Sequence, residues 1–536
     1  MNKNIIKCLI LAMGVVSAAS CTANYLEINS DPYGTTKDEL ERDGYIIRSA
    51  LVGIANGVIS PDVNTTQFTE CLLGGPMAGY LADANGGWGN TISNYNPTDN
   101  WTNVFMQSDK MMPVIYTNLN SLRQVTDDPV ILAVGTIIKV AAMHRITDTY
   151  GPVPYSKVGQ DGKLEVEYDS QETIYIQMIR ELTEAVEELM PNRTNNFSSS
   201  ADVIYGGNTE KWIKFANSLK LRLAMRVSYA NPELSKAAAE EAVNNEVGVF
   251  SSNDDNAMFS TFGVDGNPIR VSVQYNIKNH TDQTPCTTGG GDSHVAADIV
   301  CYMNGYNDPR REAYFNKSEF DGYDYAGLRR GIVIPDHATV GHKFSGVKIS
   351  YDSPVCWMNA AEVAFLKAEA AGVFGYNMGG SAKDFYEEGI RLSFNQWGAG
   401  DATAYIADNS SVPATYTDPS GSNSYSGVIS DITIAWDDAA DKETMQERII
   451  TQKWIANWLL GNESWAEWRR TGYPHLIPAT DAGNKSNGEV DSAEGARRMP
   501  YPDAEYGNNP ANIAYAVANY LKGPDNMSTK LWFDCK

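Results

Sequence analysis

Apolar residues recur at spacings of three and four along several stretches of the chain, the mark of helices with one buried face. Tyr175, Met178, Leu182, Val186 and Leu189 form one such stripe, with Asp169 and Glu172 as a capping box ahead of it and Pro191 behind it. Trp212, Phe215, Leu219, Leu223 and Val227 form a second, capped by Asn208 or Thr209 and ended by Asn231-Pro232. A third runs through Ile131, Val134, Ile138, Ala142 and Ile146, from Pro129 to Gly151-Pro152. Further helices are predicted over 38–58, 101–125, 357–374, 381–397 and 442–460. Adjacent helices fall into pairs, at about 101–149, 169–229, 357–397 and 442–472. The pattern predicts an all-α fold of tetratricopeptide-like helix pairs, each burying its apolar face against the next.

Three stretches lack this period. Residues 60–100, 250–352 and 398–438 are rich in Gly, Asn, Asp, Ser, Thr and Tyr and read as long irregular insertions. Turn signals at Gly266-Asn267-Pro268 and Asp321-Gly322 allow short hairpins in the second of them. No segment after the first twenty residues approaches about 20 uninterrupted apolar residues, the length of a membrane-spanning helix.

The N-terminus has a layout of its own. Lys3 and Lys7 precede the apolar run Cys8–Val16, and Ser17, Ala18, Ala19 and Ser20 lead directly into Cys21. This resembles a bacterial lipoprotein signal over residues 1–20, which implies cleavage before Cys21 and acylation of its thiol. The mature chain, 21–536, is then membrane-anchored by lipid, with palmitate among the expected acyl groups.

Composition narrows the function. The 536 residues carry 42 Lys and Arg against 66 Asp and Glu, a net charge of −24, which excludes the basic footprint of a nucleic-acid binder. Cys71, Cys286, Cys301, Cys356 and Cys535 are scattered without a CxxC pair, against both a zinc site and a disulfide framework; a single bridge such as Cys286 to Cys301 stays open.

No catalytic constellation stands out. His144, His280, His294, His337, His342 and His475 form no HExxH pair, and His337 with His342 read as two accessible side chains in a turn. Gly289-Gly290-Gly291-Asp292 lacks the Lys of a phosphate loop, and Asp254-Asp255-Asn256 reads as a solvated turn rather than a calcium loop. No cofactor, metal or catalytic residue is expected.

Binding chemistry is visible. A sugar offers a flat C–H face rimmed by hydroxyls, and its site needs an aromatic plane beside Asn, Asp, Gln or Arg. Residues 74–101 hold that mixture, and Trp88 stands among Gly86, Gly87 and Gly89 outside any helical period. Trp88, Tyr80, Asp83 and Tyr95 are therefore the candidate ligand contacts. Tyr405, Tyr416 and Tyr425, with Tyr323 and Tyr325, are reserves.

The order of motifs along the chain resembles the SusD/RagB family of outer-membrane nutrient-binding lipoproteins. The resemblance rests on Tyr25–Pro32 after the anchor, Tyr150–Tyr155 closing a helix, Asn307-Asp308-Pro309-Arg310, and the Ala-Glu helix 361–370. Gln446-Glu447-Arg448, Glu463–Gly472 with its Trp-Arg-Arg-Thr-Gly end, and Arg497–Pro502 with Glu505 and Asn509 complete it. It implies a right-handed superhelix of tetratricopeptide-like pairs, a place on the cell surface, a SusC-like TonB-dependent transporter as partner, and glycan cargo. Peptide cargo, a scaffold for the transporter without a small ligand, and a surface glycosidase are the alternatives. Glu362, Glu369, Glu447 and Arg448 are expected to pair between helices. Trp454, Trp458, Trp465 and Trp468 recur near helical spacing and are expected to pack in the core.

Overall fold

The computed structural model describes residues 44–106, 111–160, 162–275 and 288–536. Residues 47–536 form one compact unit; of the other, 1–46, only 44–46 are described. Cys21, Cys286, His280 and the segment Tyr25–Pro32 lie outside the described residues.

The fold is mostly α-helical, and local signals set the helix ends. Met111–Val125 (α1) leads to Pro129–Tyr150 (α2), whose N-cap Asp128 accepts the Val130 amide at 2.9 Å. Gln171–Leu189 (α3) starts at Ser170, whose hydroxyl caps the Thr173 amide; the cap is the residue after Asp169. Asn208 caps Thr209–Arg226 (α4). Asn231-Pro232, which ends that stripe in sequence, also opens Pro232–Asn244 (α5): Asn231 caps and proline takes the first turn. After Ala297–Gly305 (α6) come Ala360–Gly372 (α7), Ala382–Gln396 (α8), Lys442–Ala456 (α9) and Gly461–Thr471 (α10). Helices α1 to α5 pack each against the next, and α7 packs on α8 and α9. Among these, α1 with α2, α3 with α4 and α7 with α8 fall within the predicted 101–149, 169–229 and 357–397 pairs, whereas α9 and α10 touch only lightly.

The boundaries shift at four places. The 38–58 helix is described as Tyr45–Ala55, and 101–125 divides into a turn at Asp99–Thr102 and α1. Residues 355–358 are a strand ahead of α7. The 60–100 insertion opens with Val63–Thr66 and the π-helical Gln67–Gly74.

Four short strands tie the insertions down. Leu81–Asp83 (β1) pairs antiparallel with Ser293–Val295 (β3), Ala82 opposite His294. Ala257–Phe259 (β2) pairs with Val355–Met358 (β4). Both ladders join residues far apart in the chain, unlike the local hairpins that the turn signals suggest.

Helix α2 is long and apolar enough to cross a membrane by length and composition, yet it is buried inside the protein. Its polar residues are matched by neighbours. Lys139 pairs with Glu181 at 2.7 Å, Arg145 with Glu70, and Asp148 with Arg226 at 2.6 Å. Around them runs a buried ionic network. Arg226 donates to Asp148, Glu463 and Glu467; Arg222 grips Glu362 with two bonds of 2.7 Å; Arg470 bridges Glu369 and Glu467 at 2.7 Å each. Taking so many charges out of water is costly, and breaking one pair leaves its partner stranded. The network therefore fixes how α2, α4, α7 and α10 sit on one another.

Of the four expected helix-to-helix ion groups, Glu362 and Glu369 behave so, whereas Glu447 accepts from Ser430 and Arg448 donates to the Thr433 carbonyl. Trp454, Trp458 and Trp465 are buried in the core and Trp468 is half-buried against it. Cys301 is a free, buried thiol, so the Cys286–Cys301 bridge is not made. Asp255 accepts the Ser251 and Ser252 amides and pairs with Lys214, which makes 254–256 a capped turn.

Candidate functional site

Strand β1 delivers the chain to the loop that carries Trp88. Asn85 makes the first turn: its side-chain oxygen accepts the Gly87 amide at 3.0 Å, and its amide group donates to Asp292 at 3.0 Å. Gln67, from the π-helical turn, donates to the other Asp292 oxygen at 3.1 Å. One buried carboxylate thus holds the loop base to the core. A Cβ at 86 would stand 3.1 Å from the Ile334 carbonyl, tighter than ordinary contact, so glycine eases the close approach of the loop to residues 334–335. Nothing lies within 4 Å of where a Cβ on Gly89 would stand.

Trp88 is half-buried between exposed glycines. Its ring meets Trp101 at 5.2 Å with the planes at 90°, and Trp101 leans edge-on against Phe68 at 5.2 Å. The indole is propped from below and retains solvent-facing surface. The same loop carries several carboxamides, each tied to the protein. Asn90 donates to the Asn96 carbonyl at 2.9 Å, and Asn96 accepts the Thr91 amide at 3.2 Å. Asn94 is buried and donates to the Ile332 and Gly483 carbonyls, which locks the loop end to the body.

The other three candidates are corrected by their surroundings. Tyr80 is 0% exposed; its hydroxyl bonds the Trp454 carbonyl and Ser464, and its ring stacks on Trp454 at 5.5 Å. Asp83 is 3% exposed and accepts from Ser93. Burial pushes its carboxyl up to about 7; the Ser93 hydroxyl opposes the rise and the charge of Asp292 adds to it. Tyr95 is buried in a left-handed backbone turn with φ 59°, its phenol beside Arg330. All three hold the loop in place and present no surface to a ligand. Of the four, only Trp88 does.

Among the reserves, Tyr405 and Tyr416 are buried, Tyr405 bonded to Asp308 and Gln452. Tyr425 is half-buried under Arg329, Tyr325 is half-buried, and Tyr323 is exposed. His337 and His342 are buried, contrary to the accessible turn expected: His342 donates to the His337 carbonyl at 2.8 Å, and the His337 ring faces His294 with the two Nε2 atoms 3.4 Å apart.

One other cluster has the spacing of metal ligands. His144, Asp148 and Glu463 bring ligand atoms within 4.8 Å of one another. Arg226 already donates to both carboxylates, and Arg222 approaches Glu463 at 3.7 Å. Burial alone would disfavour the Glu463 anion, but these guanidiniums outweigh it and hold its carboxyl well below the usual range. A cation entering there would meet two positive charges, so the donor set does not fit a metal.

Comparison with known proteins agrees with the motifs. The family model described as SusD and RagB outer membrane lipoprotein matches residues 27–534. A SusD homologue from Bacteroides uniformis is 55% identical, with TM-score 0.88 over 92% of this chain and 100% of its own. A chitin-binding SusD homologue from Flavobacterium johnsoniae is 35% identical, with TM-score 0.83 over 91% of this chain and 98% of its own. A SusD-like protein from Bacteroides thetaiotaomicron is 33% identical, with TM-score 0.81 over 91% and 99%. Among curated proteins nothing matches. With a family match over nearly the whole chain and the same fold in each of these relatives, the protein belongs to the SusD-like family of outer-membrane lipoproteins.

Proposed function

We propose that the protein is a lipid-anchored, surface-exposed binding protein that captures oligosaccharide or polysaccharide and passes it to a SusC-like TonB-dependent transporter, without chemistry of its own. The family supplies the coarse part, a nutrient-binding lipoprotein of the outer membrane. Cys21, at the end of a lipoprotein-type signal, supports the anchor.

The observation that carries the glycan reading is Trp88. An indole propped on Trp101, flanked by exposed glycines and set in an Asn-rich loop suits the C–H face and hydroxyl rim of a sugar. A peptide would call for a groove with paired main-chain donors and acceptors, and no observation at the loop favours one. Neutral sugar releases no counterions, so the affinity should not change with salt. Because one relative is named chitin-binding, N-acetylglucosamine oligomers belong beside plant and host glycans in the test panel. Calorimetry of residues 22–536 against that panel and a peptide digest tests the reading: saturable heat with one glycan class, weakened by Trp88→Ala, is expected. Heat from the digest alone would replace glycan by peptide.

A further inference from the structure

A second cavity lies away from the Trp88 loop. It measures about 220 Å³ and is walled by Met258 of β2, Val355 of β4, Ile349, Trp397 after α8, and Trp458 and Leu459 between α9 and α10. Engineered cavities of about 150 Å³ accept benzene, whereas sites for drug-sized ligands start near 300 Å³. The space therefore suits a single ring with one or two substituents. Its walls are mainly apolar, unlike a site for a hydrated sugar.

Three features set it apart from a packing defect. The indole nitrogens of Trp397 and Trp458 and the side-chain oxygen of Gln396, all from residues lining the cavity, are buried without a hydrogen-bond partner among the described residues. Native interiors rarely leave such groups unpaired, because desolvation is not repaid. Both indoles are held rigidly on one ring: Tyr314 stacks on Trp458 at 5.3 Å and meets Trp397 edge-on at 4.7 Å.

Leu459 is the second feature, a branched residue held at φ 70°, a strained backbone of the sort found at functional sites. The third is the rim. Val264 is 91% and Tyr351 53% exposed, and the Tyr351 hydroxyl bonds the Val264 carbonyl. Their loops border the cavity through Asn267, which donates to the Tyr351 and Ser353 carbonyls. Lys348, also a lining residue, is exposed.

We propose that this cavity is a second ligand site, for a small aromatic ring bearing a hydroxyl and a carboxylate. The ring fills the apolar space between the indoles. Two N–H donors and one amide oxygen match a hydroxyl that both accepts and donates, and the Lys348 ammonium, which donates to the Glu312 carbonyl at 2.8 Å, offers a second N–H to the carboxylate.

The probe is 4-hydroxyphenylacetate, titrated up to about 10 mM against residues 22–536 with saturation-transfer NMR as readout. Saturable binding is expected. Ile349→Trp, which fills the space, should abolish it, and Trp397→Phe, which keeps a ring but deletes one N–H, should weaken it about fivefold or more. Trp88→Ala should leave it unchanged. Absence of saturable binding to the wild-type protein would overturn the proposal. So would equal binding by Ile349→Trp and Trp397→Phe, or loss of binding in Trp88→Ala.

Discussion

Trp88 stands edge-on to Trp101, ring centroids 5.2 Å apart and planes perpendicular, so the half-buried indole is supported by a buried one. An aromatic platform is useful only if it holds its orientation before ligand arrives, because ordering it on binding costs affinity. Trp101 supplies that order, and the glycines beside Trp88 are exposed and add no side chains around it.

The pair should be energetically coupled. A double-mutant cycle with Trp88→Ala and Trp101→Ala is expected to give a coupling of about 1 kcal/mol in stability, the usual size for an edge-to-face pair. Trp101→Ala alone should lower glycan affinity without touching the ligand. Strictly additive unfolding energies would show that Trp101 does not support the platform.

Asp83 gives the protein a pH signature opposite to that of most carboxylates. Its carboxyl sits at about 7 in the fold against an ordinary 3.8, so the native state holds this proton more tightly than the unfolded chain. Its stabilising effect is complete below about pH 4, declines as pH rises towards 7, and is lost above that. The interval between the folded and unfolded values bounds the loss at roughly 4 kcal/mol. Asp83→Asn, which cannot ionise, should therefore gain thermal stability relative to wild type between pH 5 and 8, to be read from melting curves across that range. Parallel curves for the two proteins would contradict the assignment.

The ionic interior makes a third prediction. Glu369 accepts from Arg470 and Gln446 with no exposure at either charged end. Glu369→Ala removes one of the two carboxylates that hold the buried Arg470 guanidinium, leaving Glu467, and should cost about 1.5–3 kcal/mol in denaturant unfolding. A loss below about 1 kcal/mol would mean that α7 and α10 are held by packing alone.

Much of this was legible in the sequence. Stripes such as Tyr175–Leu189 and stops such as Gly151-Pro152 act within a few residues, so the helices and their pairing could be read directly. Helix α5 was not, because Asn-Pro serves equally as a terminator and as a cap followed by a first turn. The ladders β1–β3 and β2–β4 join segments that carry no local sign of their partners. The same limit governs the site. Glycines on both sides expose Trp88, a local property, whereas Tyr80, Asp83 and Tyr95 are buried by contacts with Trp454, Ser93 and Arg330 that composition does not reveal. His337 and His342 mislead in the same way: a turn-rich stretch can fold inward when backbone carbonyls and neighbouring rings satisfy its side chains.

The anchor can be tested in cells. Cys21→Ala removes the acceptor thiol, so palmitate labelling should vanish and the protein should leave the membrane fraction while keeping its fold. Unchanged surface protease sensitivity in that variant would contradict lipid anchoring.

Calorimetry comparing wild-type protein with Trp88→Ala, on the glycan class that binds, tests the central claim. Truncating a tryptophan that anchors a binding site costs about 2 kcal/mol or more, so a loss of roughly tenfold or more in affinity is expected, with no dependence on salt. Equal affinity in the two proteins, or binding that weakens steeply with salt, would contradict the account.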